Sequence, residues 1–284
     1  MSFTMKFAIH LSTLCERWDE DLSPHLVRVK ELGYDGVEFP LLDPFNFPVE
    51  RYASLLKGLN LQGLCSTGLG PDTDIGSYQP IIAEQGIDHL KRCIDIAHQI
   101  GSPYLTGVTY APWGEFHVRD KNEDRFQRMI QNMKVVLEYA KTKEVSVYFE
   151  LINRFETSWL NTVDDGLNYL THLDAQHVGL HLDTFHANIE EKSIPEAIRK
   201  GGSRLKHMHF AENDRGIPTT GSIDWSGIQK ALKDIHYDGW ISLECFTSPQ
   251  GEVGLGTNTW RFIETDALRV AKDGLAAMKK VMFE

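Results

Sequence analysis

At 284 residues the chain is long enough for one sizeable core and falls in the range where α/β barrels close. Forty acidic residues against 29 basic ones give a formal net charge of -11, with no Lys/Arg cluster, which argues against nucleic acid or an anionic membrane surface as a partner. Four scattered cysteines (Cys15, Cys65, Cys93, Cys245) without a CxxC pair exclude a disulfide framework and thiolate-held zinc, and fit a reducing cytoplasm.

The opening run, MSFTMKFAIHL, is too short an apolar stretch for a signal-peptide core and has no small-residue cleavage site behind it. No stretch approaches the roughly 20 apolar residues of a membrane span. The expectation is a soluble, cytoplasmic protein. KFAIHL reads as a first strand, and SPHLVRVKELG as a helix with Leu26, Val29 and Leu32 at helical spacing and Gly33 as its stop. GVEF, LQGLCST and YLTGVTY read as the next three strands. Helices are predicted over 49–59, 86–100 and 124–143.

The second half repeats the alternation. VSVYFE precedes a helix over 163–173, and VGLHLDT one over 194–200. LKHMHFAE precedes a helix over 226–235, with N-cap chemistry in Asp224 and Ser226, and WISLECF precedes a last helix over 265–282. No Pro/Gly/Ser-rich linker interrupts the eight units. They predict one (β/α)8 TIM barrel, a single domain spanning 1–284, rather than an open doubly wound sheet. The missing GxGxxG after the first strand weakens a dinucleotide-binding alternative.

In such barrels the chemistry sits at the C-terminal ends of the strands. Glu150, Asp183, His209 and Glu244 occupy those ends on strands five to eight, and Glu38 on strand two. A lone Glu there is ordinarily a solvated strand end. Four such groups converging form an oxygen-rich donor set for a hard or borderline divalent metal, because crowded carboxylates repel without a cation. His207 and His209 share a face, so spacing alone leaves the ligand open, and the rim position favours His209. His181 reads as a packed group. His186 reads as a loop histidine able to reach a ligand's oxygens, and His89, His98, His172, His177 and His236 as exposed.

The loops after strands five and seven add Glu156 and Arg215, an acceptor and a forked donor suited to sugar oxygens, or else members of surface ion pairs. Trp113 and Phe246 are rim aromatics that suit either a wall over a sugar's carbon face or ordinary packing. The loop after strand eight, FTSPQGEVGLGTN, has no Lys or Arg, which favours an unphosphorylated polyol over a sugar phosphate.

ELINRFE, LDTFHANIEE, the HxH of KHMHF, ENDR and the later LE resemble the D-tagatose 3-epimerase and D-allulose (D-psicose) 3-epimerase family of the xylose-isomerase-like barrels. The resemblance extends over most of the chain and is densest between Phe149 and Arg215. It implies that Glu150, Asp183, His209 and Glu244 ligate a divalent metal, commonly Mn2+, with Co2+ and Mg2+ as alternatives. It implies that Glu156, His186 and Arg215 hold the C1–C2 end of a ketose, that Glu150 and Glu244 also transfer protons, and that the protein is a homodimer or homotetramer. The expected reaction is epimerisation at C3 of a free ketose, such as D-tagatose, D-allulose, D-fructose or L-ribulose, through a metal-stabilised enediolate.

Some positions depart from the family pattern. His10 stands where relatives often carry an aromatic, Cys245 where many carry proline, PTTG where a PGxG-like turn is common, and Phe210-Ala211 where a Gly-containing pair is common. The nearest rival activity is aldose–ketose or hydroxypyruvate-type isomerisation. An endonuclease-IV-like phosphodiesterase is opposed by the acidic charge, and a non-catalytic sugar-binding barrel is the remaining alternative.

Overall fold

The computed structural model describes residues 5–117 and 122–284, so the first four residues of the N-terminal run lie outside it. Eight parallel strands close a barrel in chain order: β1 (Lys6–His10), β2 (Gly36–Pro40), β3 (Gln62–Leu69), β4 (Tyr104–Pro112), β5 (Ser146–Leu151), β6 (Val178–Asp183), β7 (Leu205–Phe210) and β8 (Trp240–Leu243). The ring shuts where β1 pairs with β8, from Lys6 opposite Trp240 to Ile9 opposite Leu243. The strands read as near-continuous apolar runs because both of their faces are covered.

The helices are α1 (Ser23–Leu32), α2 (Val49–Leu59), α3 (Pro80–Ile100), α4 (Glu123–Thr142), α5 (Val163–Leu173), α6 (Thr184–Glu190), α7 (Ile194–Gly201), α8 (Trp225–Asp234), α9 (Gly251–Gly256) and α10 (Ala267–Phe283). Gly33 ends α1 with a φ of 88°, as expected of a left-handed stop. α3 starts at Pro80 rather than at 86, because proline fits the first turn, where its missing N–H costs nothing. Two short helices, α6 and α9, were not expected.

Outward strand residues such as Val37, Phe39, Phe149, Met208 and Ile241 join the main core under the helices. The lumen has its own small apolar floor of Ala8, Leu64, Tyr104 and Trp240, with Tyr148 beside it. Above that floor the fully buried residues turn polar: Glu38, Thr106, His181, His207 and Ser242. Branched aliphatic side chains more commonly fill such a barrel. Here the interior is wired with hydrogen bonds that lead up to the strand ends.

Two histidine expectations fail. His89 is buried on α3, with Nε2 2.9 Å from Thr67 Oγ1, and His177 is half-buried, with Nε2 2.9 Å from the carbonyl oxygen of Leu137. Helix periodicity tells which face is apolar but not which polar residue finds a partner beneath it. His98, His172 and His236 are exposed, as expected.

Candidate active site

Glu150, Asp183, His209 and Glu244 come together at the C-terminal mouth of the barrel, each offering a donor atom within 4.8 Å of the others. Asp183 closes β6 and caps α6: Oδ1 accepts from the Phe185 N–H (2.6 Å) and the His186 N–H (3.2 Å). Its Oδ2 is left facing the cluster. Glu244 lies one residue past β8, and its N–H donates to the Phe210 carbonyl (3.2 Å), extending the strand's alignment to the ligand position. His209 Nδ1 lies 3.2 Å from Glu244, 3.8 Å from Asp183 and 3.9 Å from Glu150.

That nitrogen is buried and has no hydrogen-bond partner of acceptable geometry, in spite of the short separation from Glu244. Three carboxylates around an orphaned imidazole nitrogen fit a divalent cation of the harder kind. Of the two histidines of β7, His209 is the one that stands among the three carboxylates. His207 points lower, its Nε2 2.9 Å from Glu38 and its Nδ1 2.9 Å from the Tyr104 hydroxyl.

The carboxyls sit in opposed electrical surroundings. Burial pushes Glu150 well above the usual carboxylate range, and the charges of Glu244 and Asp183 add to the push against the pull of His209 and Arg215. Burial also opposes the charge on Glu244, but His209, His10 and Arg215 outweigh it and hold that carboxyl well below the usual range. Arg215 Nη1 donates to Asp183 (2.8 Å) and Glu244 (3.1 Å), supplying positive charge to the cluster. Its guanidinium stacks over Phe185 at 4.1 Å and Phe246 at 5.0 Å.

Beyond these groups, a chain of contacts joins the other expected residues. Trp113 Nε1–H donates to Glu156 (2.8 Å), whose other oxygen accepts from Asn153 Nδ2 (2.8 Å). Asn153 also donates to His186 Nδ1 (2.8 Å), and His186 Nε2 lies 2.8 Å from Arg215. His186 is therefore no surface loop residue: it is buried in the first turn of α6, and burial together with Arg215 lowers it to about 3. A cavity of about 390 Å³ opens over the cluster, lined by Trp113, Glu156, His186, Arg215 and Phe246 among others.

The family model for the xylose isomerase-like TIM barrel matches residues 26–281. The chain belongs to that family. It is 33% identical over 250 residues to an L-ribulose 3-epimerase of Methylomonas sp., covering 87% of each chain. It is 32% identical to a ketose 3-epimerase of Arthrobacter globiformis, covering 98% of this chain and 99% of that one. A crystal structure of D-allulose 3-epimerase from Methylomonas sp. in complex with D-allulose superposes with a TM-score of 0.91 at 30% identity, covering 99% of both chains.

Of the residues that shape this xylose isomerase-like barrel, the sequence reading named Glu38 and His10 without their roles and missed Glu212 and Gly107. Glu38 is no solvated strand end: it is fully buried beneath His209 rather than beside the other three carboxylates. The signal was available, since a Glu between Val37 and Phe39, which face the helices, must face the lumen. His10, noted in the sequence only as a departure from the family pattern, lines the cavity beside Glu244 (3.4 Å) and is held by Ser12 and by Ser66 (2.8 Å). Glu212 is also fully buried and accepts four N–H groups, from Asn213, Thr219, Ile223 and the Trp225 indole, so it organises the loop that carries Arg215. Gly107, with φ 110°, lets β4 approach β3 so closely that any Cβ would collide with the Thr67 carbonyl oxygen, and it lines the cavity.

Proposed function

We propose that this single-domain barrel inverts C3 of free ketoses with the help of a divalent cation, most simply Mn2+. The observation that carries the reading is the meeting of Glu150, Asp183, His209 and Glu244 under a cavity walled by Glu156, His186 and Arg215. A divalent cation held by the four would polarise the C2 carbonyl and C3 hydroxyl and so acidify the C3–H. Glu150, from β5, and Glu244, after β8, reach the cavity from non-adjacent strands, and inversion needs a base on each face. One takes the proton, the other returns one, and the roles exchange for the opposite epimer. Asp183 and His209 would hold the ion and take no part in the proton transfers.

His186, Arg215 and Glu156 are already cross-linked by hydrogen bonds and hold the C1–C2 oxygens in register with the two glutamates. Trp113 and Phe246 cover the carbon face. Among the described residues lining the cavity, Arg215 is the sole Lys or Arg, and it is engaged by Asp183 and Glu244. That charge balance suits a neutral sugar better than a sugar phosphate. The protein acts as a homo-oligomer in the cytoplasm. Among the described residues no helix is long and apolar enough to cross a membrane.

The test is turnover of D-fructose, D-tagatose and L-ribulose in deuterated water by enzyme stripped of metal and reloaded with Mn2+. Deuterium at C3 with formation of the epimer is expected. Label at C1 with aldose formation would move the assignment to an isomerase, and no exchange with any ketose would reject enzymatic proton transfer at this site.

A further inference from the structure

A carboxylate accepts hydrogen bonds and cannot donate them, so one ringed by an O–H and two ring nitrogens is satisfied when all three donate to it. Fully buried Glu38 receives the Ser242 hydroxyl (2.7 Å) and His207 Nε2 (2.9 Å) on Oε2, while His209 Nε2 lies 3.1 Å from both its oxygens. Each of the three must donate. His207 then bears its proton on Nε2, which leaves Nδ1 to accept the Tyr104 O–H at 2.9 Å. The column runs in one sense, from the barrel floor at Tyr104 through His207 to Glu38, and meets His209 from below.

We infer that Glu38 is a positioning residue that fixes His209 as the Nε2–H tautomer, so that the unshared pair on Nδ1 is the one presented to the cation. The inference rests on the metal-centre reading above. It explains two otherwise unrelated observations: a buried carboxylate kept away from the cluster, and a buried His209 Nδ1 with no hydrogen-bond partner. Ser242 and His207 pin Glu38 from two directions, so the carboxylate cannot swing and His209 cannot flip without leaving a buried acceptor short of a donor. A carboxylate behind a ligating histidine also raises the basicity of the ligand nitrogen. A merely structural Glu38 would contribute to folding and leave ion affinity alone.

Two measurements on the full chain decide it. Long-range proton–nitrogen spectra of the 15N-histidine protein loaded with Zn2+, a diamagnetic probe, are expected to show His209 protonated at Nε2 and metal-bound at Nδ1. The reverse assignment overturns the inference. In parallel, Glu38→Gln is expected to raise the Kd for Mn2+, read by chelator competition, about 10- to 100-fold while the metal-free protein still melts cooperatively. An unchanged Kd in a folded Glu38→Gln variant also overturns it, and if that variant does not fold, the tautomer of the wild type decides alone. Failure of the wild type to bind Zn2+ or Mn2+ would instead remove the metal-centre reading, and the inference with it.

Discussion

Glu150 and Glu244 are the same side chain under opposite electrical pressure, the one pushed toward its protonated form by burial and anionic neighbours, the other held ionised by His209, His10 and Arg215. Two carboxyls separated in this way suit a pair in which one gives a proton while the other takes one. Replacing either with Gln is expected to lower kcat by about 10²- to 10⁴-fold, the usual weight of a positioned acid or base. The measurement is steady-state epimerisation at saturating Mn2+, and full turnover in both variants would rule out a two-base mechanism. At this scale the sequence was readable at the ends of strands five to eight: Glu150, Asp183, His209 and Glu244 converge as their positions implied. It was unreadable where the role depends on what lies across the lumen. Glu38 meets His207 and His209 only because β2 and β7 face each other through the barrel, and nothing local in GVEF announces that partner.

The loop between β7 and α8 folds around a single anion. Four N–H groups point at Glu212, and Glu212→Gln puts an NH2 where two of them need an acceptor. The variant is expected to lose about 2–4 kcal/mol of stability in urea titration. It should also raise KM for the ketose through displacement of Arg215, and a destabilised variant with unchanged KM would sever the loop from binding. A second test concerns α3, packed on β3 through His89 and Thr67. Burial lowers His89 from 6.5 to about 4. The folded state therefore resists a proton that the unfolded chain accepts: stability is unaffected above pH 6.5, falls as pH drops toward 4, and levels off below, a loss of about 3 kcal/mol. His89→Gln should flatten that limb of the stability–pH curve, and an identical slope in the variant would assign the acid sensitivity elsewhere. Long helices with an apolar stripe, such as α2 and α5, were legible to the residue, whereas α6 and α9, of seven and six residues, are too short to show a period. α6 owes its start to Asp183, a cap that reads from sequence as a strand end.

For the whole molecule, the barrel and the order of its strands followed from eight alternating units, because right-handed βα repetition without a linker has few other compact outcomes. The polar lumen did not follow, since the strands carry it one residue at a time. That interior makes the protein's stability depend on charge balance. Three carboxylates at the mouth and a fourth below are offset in the protein mainly by Arg215 and by His209, which the surrounding carboxylates push toward its charged form. Stripping the metal is expected to lower Tm by roughly 5 °C or more, since an ion at a hundred times its Kd stabilises the folded state by about 2.7 kcal/mol. Calorimetry with and without chelator measures it, and coincident melting curves would mean that the four donors hold no ion.

Asp183 divides its two oxygens between a helix and a cluster, and this couples properties that another protein could vary separately. Lengthening or shifting that side chain to alter ion preference also uncaps α6, whose first turn carries His186. A change of metal selectivity and a change in the grip on the sugar would then arrive together, by inheritance or by engineering. If the proposed site holds, the ion and the substrate would not be retuned one at a time through Asp183.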